Sequence, residues 1–183
     1  MKREVEKNKF KEVQLFCYGL NLKQPIEITS LKELLIRDTG AIIQVVDPNF
    51  IAGIEHAKMI LRQTYEAYTR GIFIANKPSL DILLRLLCTK KIEAALKDAG
   101  LKEGDRNCAI LGFCDKNKID LLEEKIKEIG EQNNKALELS ETKKKFLIRY
   151  HDISLHELEN YDLATILYER AATKLLKFLR SKP

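Results

Sequence analysis

Residues 42–60 read IIQVVDPNFIAGIEHAKMI. The opening IIQVV is β-branched at every position but one and predicts a buried strand, where branched side chains pack well on a pleated surface. Asp47 and Pro48 then end it. The carboxylate can accept from free N–H groups at a helix start, and a proline in the first turn loses no hydrogen bond. Phe50, Ile54, Ala57, Leu61, Tyr65 and Tyr68 follow at spacings of three and four, which puts them on one helical face. Glu55, Lys58, Arg62 and Glu66 share another. Residues 47–70 therefore predict a strand-to-helix turn and a long amphipathic helix. Gly53 falls inside that helix, where glycine costs ~1 kcal/mol relative to alanine, and this points to a close backbone approach.

Outward from this unit, residues 13–18 (VQLFCY) predict a strand. Ser30 and Glu33 form a capping-box pattern for a short helix that buries Leu31, Leu34 and Leu35. Downstream, residues 72–75 predict a short strand and Asn76-Lys77-Pro78 a turn. Ser79 caps an apolar helix over residues 80–87, and Thr89 caps another over 90–99 that Gly100 stops. Residues 107–113 (NCAILGF) predict a strand, and Asn117 caps a helix carrying Ile119, Leu122, Ile126 and Ile129. Residues 130–136 are polar and loop-like. Ser140 begins a short basic helix, with 146–150 either finishing it or forming a strand. Ser154 and Glu157 form a second capping box, and the pattern stays helical to about residue 180 with a break near Asn160. No regular βαβ alternation appears. The expectation is an α+β single domain spanning 1–183, with a small mixed or antiparallel sheet, a helical layer and a long C-terminal helix.

The 183 residues are 45% hydrophobic and 32% charged, the balance of a soluble globular chain that can bury ~70% of its unfolded surface. No apolar run reaches the ~20 residues of a membrane span, and residues 1–13 lack the apolar stretch of a secretory signal. Cys17, Cys88, Cys108 and Cys114 have irregular gaps and no CxxC, so no zinc framework is expected. Buried thiols fit a reducing compartment and a cytoplasmic location. The net charge of +5 is uneven. From Lys58 to Lys91 there are seven cations (Lys58, Arg62, Arg70, Lys77, Arg85, Lys90 and Lys91) against Glu66 and Asp81. Arg170, Lys174, Lys177, Arg180 and Lys182 close the chain. Such a local field suits a polyanion; the competing reading is ordinary solvated surface.

Catalytic signatures are absent: no GxSxG, HExxH, P-loop or GxGxxG. His56 lies beside the apolar stripe with no nucleophile or carboxylate arranged around it, so a packing or hydrogen-bonding role is expected. Asp81 and Arg85 are four apart and can pair. The chain is read as a non-enzyme without metal or cofactor. The binding reading fits better. Arg70, Lys77 and a capped helix start border residues 72–79, and phosphates favour helix N-termini. Tyr65, Tyr68 and Phe73 are aromatic candidates for stacking bases, although the place of Tyr65 and Tyr68 on the stripe favours the core. On the last helix, Leu163, Leu167, Ala171, Leu175, Phe178 and Leu179 give an apolar arc broader than the ~100° of a surface helix, either central to the core or open to a partner.

The strand-VDP-helix series of residues 42–60, with Val45-Val46-Asp47-Pro48 and His56-Ala57, resembles the small regulatory subunit of the KEOPS complex, the family of the PRPK-binding protein, in an archaeal form. The order continues in Ser79-Leu80-Asp81-Ile82-Leu83-Leu84, in Lys90-Lys91-Ile92-Glu93-Ala94-Ala95 before Gly100, in the NCAILGF strand and in the helical C-terminus. The likeness covers most of the chain from about Leu15. The acidic residue is often Glu in the family and is Asp81 here. The family often has an Arg where this chain has Lys90 and Lys91, and Lys does not reproduce a bidentate contact.

The resemblance implies a non-catalytic subunit of the assembly that makes threonylcarbamoyladenosine in tRNA. Such a subunit binds and stimulates the kinase/ATPase subunit, meets the transferase and dimerisation subunits indirectly, and recruits tRNA through its 3′ CCA end. On that footing Lys58, Arg62, Arg70, Lys77, Lys90 and Lys91 are expected to neutralise acceptor-end phosphates. Ile74, Asn76 and Ser79 are expected to receive terminal bases, and Leu167, Leu175, Phe178 and Leu179 to contact the kinase. Two other classes stay open on the sequence: a free-standing RNA-binding module, and a small-molecule enzyme with an unfamiliar site.

Overall fold

A computed structural model describes residues 10–179 except residue 103, with the side chains of 174–179 outside the description. In chain order the elements are β1 (Val13–Leu22), α1 (Ile28–Ile36), β2 (Ile42–Val46), α2 (Ile54–Arg70), α3 (Pro78–Leu86) and α4 (Ile92–Ala99). They continue as β3 (Asn107–Asp115), α5 (Ile119–Ile129), β4 (Gly130–Gln132), α6 (Glu141–His151), α7 (Leu155–Asn160) and α8 (Leu163–Leu179). The four strands form one antiparallel sheet in the order β2-β3-β1-β4. The α+β class and the long C-terminal helix are as expected.

Helices cover both faces of the sheet rather than one. On one face Phe16, Ile43, Val45, Ile110 and Cys114 pack with Leu31 and Leu35 of α1 and Leu122 and Ile126 of α5. On the other, Val46, Leu111 and Phe113 pack with Ala57, Ile60 and Leu61 of α2 and with Ile82 and Leu86 of α3. Side chains alternate between faces along a strand, so a strand buried on both sides reads as an unbroken apolar run. IIQVV and NCAILGF come close to such runs, with Gln44 and Asn107 as their polar members. Fully burying one large apolar side chain contributes roughly 1.5–3 kcal/mol, and Phe113 and Ile43 lie at the two centres. A third cluster joins Leu147 of α6, Ile153, and Leu163, Ile166 and Leu167 of α8.

Several local expectations are corrected. Asp47 caps a short 3-10 turn, Pro48–Phe50, through the Asn49 N–H at 2.9 Å, and α2 starts later. Gly53 is the residue preceding α2, with φ of +96°. Nothing lies within 4 Å of a Cβ built there, so the backbone conformation, not a close approach, calls for glycine. Residues 72–75 form no strand. Ser30 sits inside α1, which begins after Glu27, and Ser79 sits inside α3, which begins after Lys77. Residues 90–91 precede α4, although the Thr89 hydroxyl accepts from the Lys91 N–H. Asp115, not Asn117, caps the turn that enters α5. The loop-like 130–136 holds the short β4. Residues 146–150 finish α6. Ser140 and the Ser154–Glu157 capping box behave as read.

His56, in the first turn of α2, has no exposed surface. Its Nδ1 accepts the Ala52 N–H at 3.1 Å. Burial, with a smaller contribution from the nearby His151, lowers its pKa to about 3. A base whose folded pKa lies below its unfolded value of about 6.5 binds protons mainly in the unfolded state, so stability falls as pH drops from about 6.5 toward 3. Thermal unfolding between pH 7.5 and 5 is expected to show a loss of about 2 kcal/mol by pH 5, and His56→Gln is expected to flatten that slope.

Candidate nucleic-acid interface

The charged window from Lys58 to Lys91 divides in two. Asp81 has no exposed surface and Arg85 is 7% exposed. Arg85 Nε donates to Asp81 Oδ2 at 2.6 Å, and Arg85 also reaches Gln63 Oε1 at 3.3 Å. This pair is internal. The six remaining cations, Lys58, Arg62, Arg70, Lys77, Lys90 and Lys91, are all exposed, with Glu66 the one remaining acid of the window. Lys58 bonds Glu55 at 2.7 Å, and Arg70 stands 3.8 Å from Glu66. Exposed pairs of this kind contribute ~0–1 kcal/mol and leave the cations able to exchange partners.

Asp81 also shapes the segment between α2 and α3. Gly71 ends α2 in the left-handed region at φ of +67°, and the Ile72 N–H returns to the Ala67 carbonyl at 3.0 Å. The chain then folds inward. Asp81 Oδ1 accepts the Ile74 N–H at 2.9 Å, and Ile74 and Ala75 join the core. Ile74 is therefore a buried anchor and offers no surface to a base, contrary to the expectation for it. Asn76 and Lys77 emerge into solvent and Ser79 is half-buried.

These three residues line a cleft of about 840 Å³ along the outer side of β2. β2 is an edge strand. The α1 side supplies Ile28, Lys32, Glu33, Ile36 and Arg37, and the strand supplies Ile42 and Ile43. The turn and α3 supply Asn76, Lys77, Pro78, Ser79 and Leu80. The walls are largely apolar, with three cations against one carboxylate. Lys32 and Arg37 were missed by the sequence reading. Their helix lies outside the positive window, and nothing in the local pattern of α1 singles them out.

The aromatic candidates belong to the core. Tyr68 is buried against Phe10 and Phe113 at ring distances of 5.9 and 5.6 Å. Tyr65 lies edge-on to Phe113 at 5.4 Å, and Phe73 lies 5.8 Å from Tyr68. On the C-terminal helix, Leu167 is fully buried in the third apolar cluster. Its side chain is spent inside the protein, which corrects its reading as a partner contact. Leu175, Phe178 and Leu179 fall outside the described side chains. Arg170 of the basic C-terminal group donates to the His151 carbonyl and pairs with Glu157 at 2.7 Å, so it ties α8 to α6 and α7.

Burial raises the Cys17 and Cys108 thiols to about 12 and Cys114 to about 11, so thiolate is scarce at neutral pH. Among the described residues no three His, Cys, Asp or Glu side chains gather in a metal-binding group. No helix there is long and apolar enough to cross a membrane. Comparison with family models and with curated proteins returned no match for this chain.

Removing one member of a buried ion pair leaves a charge uncompensated, at a cost of about 3–5 kcal/mol. Asp81→Ala is expected to destabilise by that amount in urea unfolding, since it also strips the Ile74 N–H of its acceptor. Asp81→Ala combined with Arg85→Leu is expected to recover part of the loss.

Proposed function

We propose that this chain is a non-catalytic subunit of a KEOPS-type tRNA-modification assembly in the cytoplasm, which brings in tRNA by its acceptor end and engages the kinase/ATPase subunit. The observation that carries the RNA half is the cleft beside β2, where Asn76, Lys77 and Ser79 line apolar walls under a net positive charge. A single-stranded end offers unstacked bases and closely spaced phosphates. An apolar cleft bordered by cations answers both. The exposed cations Lys58, Arg62, Arg70, Lys90 and Lys91 lie on α2 and before α4 and suit further phosphates of the acceptor end. The ordered sequence resemblance supports the choice of tRNA and of the kinase partner. With Leu167 committed to the core, the kinase contact on the C-terminal helix rests with Leu175, Phe178 and Leu179.

Binding of intact tRNA and of tRNA trimmed of its 3′ CCA, measured over a salt series, tests the reading. A strong loss on trimming is expected. Equal binding to both that vanishes with salt would reduce the window to a nonspecific field. Arg70→Glu with Lys77→Glu is expected to weaken tRNA binding, reduce the salt slope by roughly 0.7–0.9 per lost phosphate contact, and spare kinase binding. Leu175→Glu is expected to do the opposite, with circular dichroism verifying the fold. If both variants lose both activities while folded, the two-surface arrangement is wrong.

A further inference from the structure

Lys32 holds an unusual position for a lysine. It projects from α1, on one side of the sheet, into the cleft at the β2 edge, while Lys77 enters from the turn before α3. The Lys32 ammonium is half-buried and donates to Gln44 Oε1 at 3.1 Å. Gln44 is itself 1% exposed, and its amide donates to the Val45 carbonyl at 3.1 Å. That second bond turns Oε1 toward Lys32 and leaves the ammonium two further protons. Burial and the neighbouring Lys77 charge both lower the Lys32 pKa. Glu33 and Arg37 also line the cleft, yet among the described residues neither Lys32 nor Lys77 makes an ion pair.

Two lysines that line one cleft with largely apolar walls are placed to meet an anion between them. Phosphate oxygens accept strong charge-assisted hydrogen bonds from lysine. Ile36, Ile42 and Leu80 supply a surface for a flat apolar group beside it, and the cleft falls within the ~300–1,000 Å³ of small-ligand sites. We infer that Lys32 and Lys77 clamp one phosphate of a single nucleotide whose base lies against that apolar wall, with Gln44 positioning the Lys32 ammonium. The choice of a nucleotide over other phosphate esters rests on the RNA reading above. The nucleotide is either free or the end of a strand, since both present the same phosphate and base.

The test uses the full-length chain labelled with nitrogen-15. Amide shifts are followed during titration with 5′-AMP, adenosine, glycerol 3-phosphate and inorganic phosphate, and tRNA binding is measured by anisotropy in parallel. 5′-AMP is expected to shift the amides of Lys32, Lys77 and Ser79, and to bind at least tenfold more tightly than glycerol 3-phosphate, inorganic phosphate or adenosine. Lys32→Ala is expected to weaken 5′-AMP and tRNA binding at least fivefold, with circular dichroism verifying the fold, since it also leaves the buried Gln44 Oε1 without its donor. Lys32→Arg and Gln44→Met are expected to give intermediate losses. If tRNA binds the wild type while 5′-AMP leaves the cleft unshifted and Lys32→Ala keeps full tRNA affinity, the clamp is overturned and recruitment stands. If 5′-AMP shifts the cleft while tRNA fails to bind, the clamp stands for a free nucleotide and recruitment falls. Equal affinity for glycerol 3-phosphate and 5′-AMP would overturn the assignment of a nucleotide. The wild-type titration decides the matter even if a variant misfolds.

Discussion

A carboxylate with no exposed surface organises the functional side of this protein. Asp81 accepts from the Arg85 guanidinium with one oxygen and from the Ile74 amide with the other. The ion pair alone is weak evidence for stability, because desolvating two charges offsets most of their attraction. Its value is geometric. The Ile74 contact pulls the segment after α2 inward, seats Ile74 and Ala75 in the core, and sends Asn76 and Lys77 back out beside the β2 edge. Without that tie the turn would have no fixed place on α3, and the cleft would lose one wall.

The other wall follows from the sheet. β2 ends the strand order, and a free edge invites pairing with other chains. Here α1 packs on one face and α3 on the other, and both reach past the edge. Gln44 is buried there, with its amide donating to the neighbouring Val45 carbonyl and its oxygen taken by Lys32. The edge is thus occupied by side chains rather than open, and the space left beside it is lined by α1 and by the start of α3. Helices on both faces therefore do two jobs: they bury a largely apolar strand pair, and they create a cleft where their ends meet.

The legible part of this architecture was the part written in local period. The strands of residues 42–46 and 107–113, the stripe of α2, and the Ser154–Glu157 box are short-range patterns, and each formed. Residues 72–75 were read as a strand because they are apolar. Ile74 and Ala75 pack without pairing because a buried carboxylate seven residues past Ile74 takes its amide, a contact no window of propensity contains. Gly53 was placed inside α2 because the stripe runs through it from Phe50, whereas a 3-10 turn intervenes and needs the positive φ. Tyr65 and Tyr68 pack in or against the core, as their place on the stripe favoured, because the same spacing that makes a helical face buries it. The two-sided cover was signalled by the nearly continuous apolar runs of β2 and β3, although the expectation was a single helical layer.

Charge was the least legible of all. A count along the chain gave a positive window of seven cations, of which Arg85 pairs with Asp81 inside as its spacing allowed, and it omitted Lys32, which lies 45 residues before Lys77 on another element. Only the fold brings those two ammonium groups together. Their shared place in the cleft works against the folded state, because burial and the Lys77 charge both make Lys32 harder to charge. The same repulsion is relieved when an anion sits between them, so any free energy lost in assembling the site returns as affinity for the ligand. The Asp81 tie and the Gln44 hydrogen bond matter in this light for a common reason. Each holds one cation in place against its neighbour, so that the cleft keeps its charge without a bound partner and meets an anion already formed.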